Sequence, residues 1–245
     1  MKPQLWKVPS VELSVAQVDQ LYEKLHQRLI EISSRYQKVR FATSLAAEDM
    51  VITDAIAREN IKIEIFTLNT GRLHDASIEM HRTVQNHYNI QIQSVEPDQQ
   101  QVKQFVAHVG LNAFYESEDA KKSCCDIRKV KPLQKALFGA DAWLTGQRKE
   151  QSVTRTELLF EERDIARGIA KFNPIFDFSE QEMWAYIQIR QVPIHPLHHQ
   201  GYPSIGCEPC TRAIQEGEEI RSGRWWWLQK DSKECGLHVI EGLQK

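Results

Sequence analysis

Residues 39–59 read VRFATSLAAEDMVITDAIARE. VRFATSL has the apolar and β-branched content of a short strand, and AAEDMVITDAIARE reads as a helix beginning directly after it. Glu48 and Asp49 fall in the first helical turn, where a carboxylate suits the positive end of the helix dipole. Downstream the same alternation repeats. IKIEIFTLN (61–69) is a second strand, residues 75–87 a helix, IQIQSVEP (90–97) a third strand and residues 101–115 a helix. A helix near 126–138 precedes a fourth strand, DAWLTGQ (141–147). Strands alternating with helices predict an α/β fold: a mostly parallel sheet flanked by helices. Such sheets bind ligands at the carboxyl ends of their strands. Three polar loops fall at those ends: TSLAAED, LNTGRLHD and TGQRKEQSVTR.

Upstream, Val15, Val18, Leu21, Leu25, Leu29 and Ile32 recur at helical spacing, so residues 1–37 are read as an N-terminal helical extension. Downstream, NPIFDFSEQEMWAYI (173–187) predicts a turn and a helix capped by Ser179, with Glu182 three residues on. Residues 215–245 lose apolar periodicity after three tryptophans and are read as a C-terminal tail on a single domain spanning 1–245. The length suits one large domain with a well-buried core.

The net charge of −2 gives no general attraction to nucleic acid, so an anion site must come from local clustering of Arg and Lys. No stretch approaches the ~18 apolar residues of a membrane span, and the N-terminus has no apolar signal core. A cytoplasmic location is therefore expected, where the five cysteines read as chemistry before disulfides.

Cys207 and Cys210 are a two-spacer pair of the kind found in zinc and iron–sulfur sites. Cys124 and Cys125 are adjacent, which is unusual for zinc and compatible with a four-thiolate iron–sulfur cluster. Spacing alone leaves zinc, a cluster and small buried thiols all open. Cys235 stands apart in KECGLH, between Lys233 and His238, whose positive charge would favour a thiolate. Its local sequence is equally that of an incidental surface thiol.

Taken together, TSLAAED, LNTGRLH, CCDIRKVKPL, TGQRKEQSVTR, GYPSIGCEPCTRAI, IRSGRWWW and KECGLH, in this order from about residue 38 to 238, resemble the assimilatory sulfonucleotide reductases, in particular the adenosine 5'-phosphosulfate reductases. The resemblance implies an adenine nucleotide α-hydrolase-like fold related to the PP-loop ATP pyrophosphatases. It implies that Cys235 attacks the sulfur of the substrate, that AMP leaves, and that thioredoxin or glutaredoxin releases sulfite from the enzyme. It implies a [4Fe–4S] cluster on Cys124, Cys125, Cys207 and Cys210, and a homo-oligomer. Ser44, Lys129, Arg155, Arg221, Arg224 and His238 match the family's substrate-binding positions. Arginine suits an anionic substrate because its planar fork bonds two oxygens at once and stays charged. Many relatives carry Gly where this chain has Ala46, and alanine restricts φ to negative values.

Arg72 and Arg148 lie in matching loops, with no contact assigned. Trp225, Trp226 and Trp227 are read as packing, and His195, His198 and His199 as loop support. Relatives that use the 3'-phosphorylated substrate usually lack both cysteine pairs, which favours the unphosphorylated one here. The alternatives are a 3'-phosphoadenosine 5'-phosphosulfate reductase, a PP-loop ATP pyrophosphatase, for which TSLAAED is a poor phosphate loop, and a non-enzymatic metal or redox-sensing module.

Overall fold

The computed structural model describes residues 4–151 and 155–228. Six strands form one sheet: β1 (Val39–Thr43), β2 (Glu64–Leu68), β3 (Gln93–Val95), β4 (Ala142–Leu144), β5 (Glu161–Asp164) and β6 (Ile169–Phe172). Their order across the sheet is β3-β2-β1-β4-β6-β5. Every pairing is parallel except the edge pair β5–β6. The helices are α1 (Val15–Arg35), α2 (Ala47–Arg58), α3 (Asp75–Tyr88), α4 (Gln99–Val109), α5 (Glu118–Cys125), α6 (Lys131–Leu137) and α7 (Glu180–Ile189).

The chain runs β1, β2, β3 in one direction across the sheet and then returns to place β4 on the other side of β1. A crevice therefore opens between the carboxyl ends of β1 and β4, where strand order reverses and α/β proteins take their ligands. Both sheet faces are covered, as a parallel sheet requires. On one face α1, α2 and α7 bury Val18, Leu25, Val51, Trp184 and Tyr186 around Phe41 and Phe172. On the other, Leu133 and Leu137 of α6 pack with Phe66, Val95 and Trp143. The predicted N-terminal helix thus contributes to the main core. It starts at a capping box, with Gln17 N–H donating to the Ser14 hydroxyl and the Gln17 side chain accepting from Ser14 N–H. Lys24 and Arg28 on α1 pair with Asp177 at 2.7 Å each. The Ser179–Glu182 capping box of α7 forms as the sequence predicts.

The strands β2, β3 and β4 are shorter than the stretches read as strands, and larger differences lie elsewhere. The helix expected over 101–115 stops at Val109, because Gly110 leaves helical geometry and only a 3-10 turn follows at Ala113–Tyr115. The helix expected near 126–138 begins at Glu118 instead and passes through a π turn, Asp126–Val130, before α6. Pro132 accounts for the turn. It has no N–H for the Arg128 carbonyl and its ring would clash there, so the backbone widens and Lys131 N–H bonds Asp126 O, five residues back. The β5–β6 hairpin was not anticipated. Its strands are four residues each and β5 is Glu-Glu-Arg-Asp, an edge sequence without an apolar stripe.

Candidate active site

The loop after β1 makes the first wall of the crevice. Leu45 takes a left-handed φ of 61°, held by its N–H on the Thr43 hydroxyl at 3.0 Å. A branched side chain there carries a backbone cost of about 1–2 kcal/mol. Ala46, the position in question from the sequence, has an ordinary φ of −78°. The tight turn is therefore made at Leu45. Ala46 at the N-cap of α2 offers no side-chain cap, and the Glu48 carboxyl takes a backbone N–H of its own residue in the first turn. Asp49 accepts from Ser44 N–H at 2.5 Å and from the Ser44 hydroxyl at 2.6 Å.

Asp49 also joins the second wall. The backbone of Gly146, after β4, donates to its carboxyl group. A Cβ on Gly146 would lie 2.1 Å from Asp49 Oδ1, so only glycine permits this approach. Burial raises the Asp49 pKa to about 6, against the lowering effect of these hydrogen bonds. Two residues after Gly146, Arg148 is 1% exposed and reaches Glu48 at 3.1 Å and the Phe178 carbonyl at 3.2 Å. Burial alone would raise the Glu48 carboxyl, but Arg148 and Gln151 bring it below the usual carboxylate range. Arg155 donates to Gln151, which in turn accepts from Arg148 N–H.

The third wall comes from the cysteine segments. Leu73 bridges Cys207, and Glu208 N–H donates to Arg72 O at 2.8 Å, which clamps the 207–210 turn to the loop after β2. Trp225 N–H donates to Cys210 O at 3.1 Å and fixes the tryptophan segment to the same turn. Arg224 is buried, with Nη1 donating to the Ile205 carbonyl at 3.2 Å and to the Ser204 hydroxyl at 3.3 Å. Its guanidinium lies against Gly206, where a Cβ would stand 2.3 Å from Nη2.

These walls enclose a cavity of about 280 Å³. Ser44, Lys129, Arg155, Arg221 and Arg224 all line it, although they come from four separate segments. Cys207 lines it too. Cys235 and His238 lie outside the described residues.

Cys124, Cys125, Cys207 and Cys210 are free thiols. Burial pushes the Cys210 thiol up to about 12, and the charges of Cys207, Cys125 and Cys124 add to the rise. Burial also raises Cys124, with a contribution from Cys207. Cys207 goes the other way: burial raises it, but Lys129, the Thr70 hydroxyl at 3.3 Å, Arg224 and Arg128 carry it below the ordinary thiol value. The two pairs thus occupy one electrostatic neighbourhood. Thiolates gathered this closely would repel one another, a repulsion that a cationic core of soft metal ions would offset. As placed, no three His, Cys, Asp or Glu side chains among the described residues already form a metal-holding group.

Several residues have roles that single-sequence reading did not assign. Arg72 is structural, donating to Leu111 O at 3.0 Å and to Asn112 Oδ1 at 2.9 Å. Arg128, behind the cavity, donates to the Thr70 carbonyl at 2.8 Å. Trp225 is buried between Lys121 and Arg224 and also lines the cavity, Trp227 packs on Tyr115, and Trp226 is exposed, so packing describes the first and third of the triple. His195 caps its own turn by accepting from Leu197 N–H. No helix among the described residues is long and apolar enough to cross a membrane.

Comparison with known proteins agrees with this geometry. The phosphoadenosine phosphosulfate reductase domain model matches residues 38–213. The chain is 56% identical over 217 residues to the adenosine 5'-phosphosulfate reductase of Burkholderia cepacia, covering 89% of this chain and 87% of that one. To the protein of the same name from Neisseria meningitidis serogroup A it is 53% identical over 239 residues, covering 97% and 98%. Among solved structures, the phosphoadenylyl-sulfate reductase of Candida auris superposes with a TM-score of 0.65 at 24% identity, covering 82% of this chain and 98% of that one. The FMN adenylyltransferase of Candida glabrata superposes with a TM-score of 0.56 at 11% identity, covering 96% and 84%. At such identities the likeness is one of fold.

Proposed function

This chain belongs to the phosphoadenosine phosphosulfate reductase family, and from that premise we propose that it reduces adenosine 5'-phosphosulfate to sulfite and AMP, with thioredoxin or glutaredoxin as the electron donor. It is an oxidoreductase acting on a sulfur group, and it serves sulfate assimilation and cysteine biosynthesis in the cytoplasm. The observation that carries this reading is the convergence of Ser44, Lys129, Arg155, Arg221 and Arg224 on one cavity at the switch point of the sheet. The substrate carries a phosphate and a sulfate, and four cations with a helix N-terminus suit both.

Each residue then has a task. Ser44 lines the cavity and, with its N–H and hydroxyl both donated to Asp49, holds the loop after β1 that leads into the N-terminus of α2, the end of a helix that favours an anionic oxygen. Arg155, Arg221 and Arg224 neutralise the phosphosulfate, which makes AMP a better leaving group. Lys129 stands between the cavity and the thiols, and its charge acts on Cys207 and Cys210. Cys124, Cys125, Cys207 and Cys210 would hold a [4Fe–4S] cluster, which supplies a fixed charge beside the site and orders the two thiol-bearing segments.

Cys235 is the nucleophile of this scheme. Its thiolate forms a bond to the substrate sulfur, the bond from that sulfur to the phosphate oxygen breaks, and AMP leaves. The enzyme then carries an S-sulfocysteine. A thiolate of reduced thioredoxin attacks Cys235 Sγ and sulfite departs with the bonding electron pair. The second thioredoxin thiol resolves the mixed disulfide, so the two electrons come from one dithiol. His238 assists near the reacting sulfur. The family resemblance also supports a homo-oligomer, which light scattering of the intact protein reads directly.

The test is anaerobic sulfite production with thioredoxin, comparing adenosine 5'-phosphosulfate with its 3'-phosphorylated analogue. The expected result is strong preference for the first. Preference for the second would assign the other substrate of the family, and sulfite from neither would reject the reading.

A further inference from the structure

His195 is fully buried and sits behind the cavity wall, in a motif the scheme above does not use. Two hydrogen bonds fix its tautomer. Leu197 N–H donates to Nδ1 at 3.2 Å, so Nδ1 carries no proton. The proton of the neutral ring is therefore on Nε2, which lies 2.9 Å from the Ser77 hydroxyl oxygen. Burial, which lowers the His195 pKa to about 4, keeps the ring neutral at physiological pH.

The consequence falls on Ser77. A free serine hydroxyl rotates and can donate or accept. Here one lone pair is taken by the imidazole N–H, and among the described residues no carbonyl takes the hydroxyl proton. Ser77 lines the cavity, so that proton is available to an acceptor inside it. Ser77 shares the cavity wall with Ile78 and His81 of its own helix, and the uncharged residues Leu68, Ser94 and Leu133 also line the cavity. His81 is itself engaged, with Nε2 2.9 Å from the Ile92 carbonyl. This wall suits the uncharged part of a nucleotide, while the phosphosulfate belongs with the cations on the other segments.

We propose that Ser77 is a substrate-binding donor to the nucleoside part of the nucleotide, and that His195 is the positioning residue that fixes Ser77 in the donor role. The proposal rests on the reading of the cavity as a nucleotide site. It extends the binding set from the anionic end to the nucleoside end. It also gives the buried histidine a purpose beyond capping its turn.

The two functions of His195 can be separated. Asparagine places an acceptor near the position of Nδ1 and keeps the cap, but its donor falls short of Ser77. Glutamine extends to the position of Nε2 and restores the donor. Binding of AMP and of adenosine is measured by calorimetry on the intact protein. Ser77→Ala and His195→Asn each weaken both ligands by about 3- to 10-fold, the equivalent of one neutral hydrogen bond, and His195→Gln stays within about 2-fold of wild type. The double variant S77A/H195N binds no more weakly than S77A, and KM for adenosine 5'-phosphosulfate rises while kcat holds. Unchanged AMP affinity in S77A overturns the proposal. So does a further loss on adding H195N to S77A, because His195 would then act through packing alone. Turnover by the wild-type protein keeps the outcome separate from the reading it rests on. If the wild type releases no sulfite, that reading has failed; if it does and S77A binds normally, only the role of Ser77 has.

Discussion

Gly146 and Asp49 touch so closely that no side chain fits between them: a Cβ on Gly146 would stand 2.1 Å from Asp49 Oδ1. Asp49 belongs to the helix after β1 and Gly146 to the loop after β4, so this contact joins the two strand ends that flank the crevice. Ser44 is turned into place by the same carboxylate. Gly146→Ala forces Asp49 away, and we expect a loss of about 1–3 kcal/mol in denaturant unfolding together with weaker AMP binding. Wild-type affinity in a stably folded G146A would show that Asp49 does not set the site.

The buried Asp49 carboxyl also links stability to pH. Its folded pKa, about 6, lies above the unfolded value. The folded state therefore holds a proton that the unfolded state has released, and the associated stability is full below about pH 4 and lost as pH rises through 6. Asp49→Asn removes this dependence. The stability of wild type relative to D49N should fall by about 2–3 kcal/mol between pH 4 and 7, measured by urea unfolding at each pH. A flat difference would contradict it.

Asp177 behaves in the opposite sense. Burial alone would raise its pKa, but hydrogen bonds and charge from Arg28 and Lys24 lower it to about 2. Its contribution is present above about pH 4 and lost as pH falls through 2. Because the pair is partly exposed, Asp177→Asn should cost about 1 kcal/mol at pH 7, with the difference from wild type closing below pH 3. The same variant probes how firmly α1 is tied to the segment leading into α7.

Arg221 and Arg224 line one cavity but differ in their surroundings. Arg224 is buried and holds the Ile205 carbonyl, whereas Arg221 is only half-buried. Both alanine variants should lose about 10- to 100-fold in substrate affinity, the worth of a charge-assisted hydrogen bond. Only R224A should also lower the melting temperature. Equal melting temperatures would place the two arginines in equivalent settings.

Cys207→Ser should lose bound iron and its visible absorbance, and the 207–210 turn should loosen from the loop after β2. Iron analysis and the absorbance spectrum check this, and full iron occupancy would remove Cys207 from the ligand set.

How much of this could be read from the residues alone depends on where the signal lies. The β1–α2 and β2–α3 units have strong apolar patterns, and the crevice at their ends followed from them. A lone loop arginine or lysine reads as an ordinary surface charge, so the substrate cations were legible only through the family motifs that contain them, and five of the expected substrate residues do line one cavity. The β5–β6 hairpin carried no such pattern, being a charged edge. The π turn depends on the placement of Pro132 within a helical run, which periodicity does not register. The structural use of Arg148, paired with Glu48 across 100 residues of sequence, is a property of the fold. So is the Ser77–His195 contact, which spans 118 residues. In each case the partner is distant in sequence, and no local rule names it.

In the proposed reaction this chain takes the substrate's sulfur onto itself. The most direct measurement mixes the intact protein with adenosine 5'-phosphosulfate without any reductant, then reads protein mass and released AMP. The expected result is one equivalent of AMP and the gain of a single SO₃ group, mapped to Cys235 by peptide analysis and absent in Cys235→Ser. AMP released without modification of the protein, or an SO₃ group still gained by C235S, would contradict it.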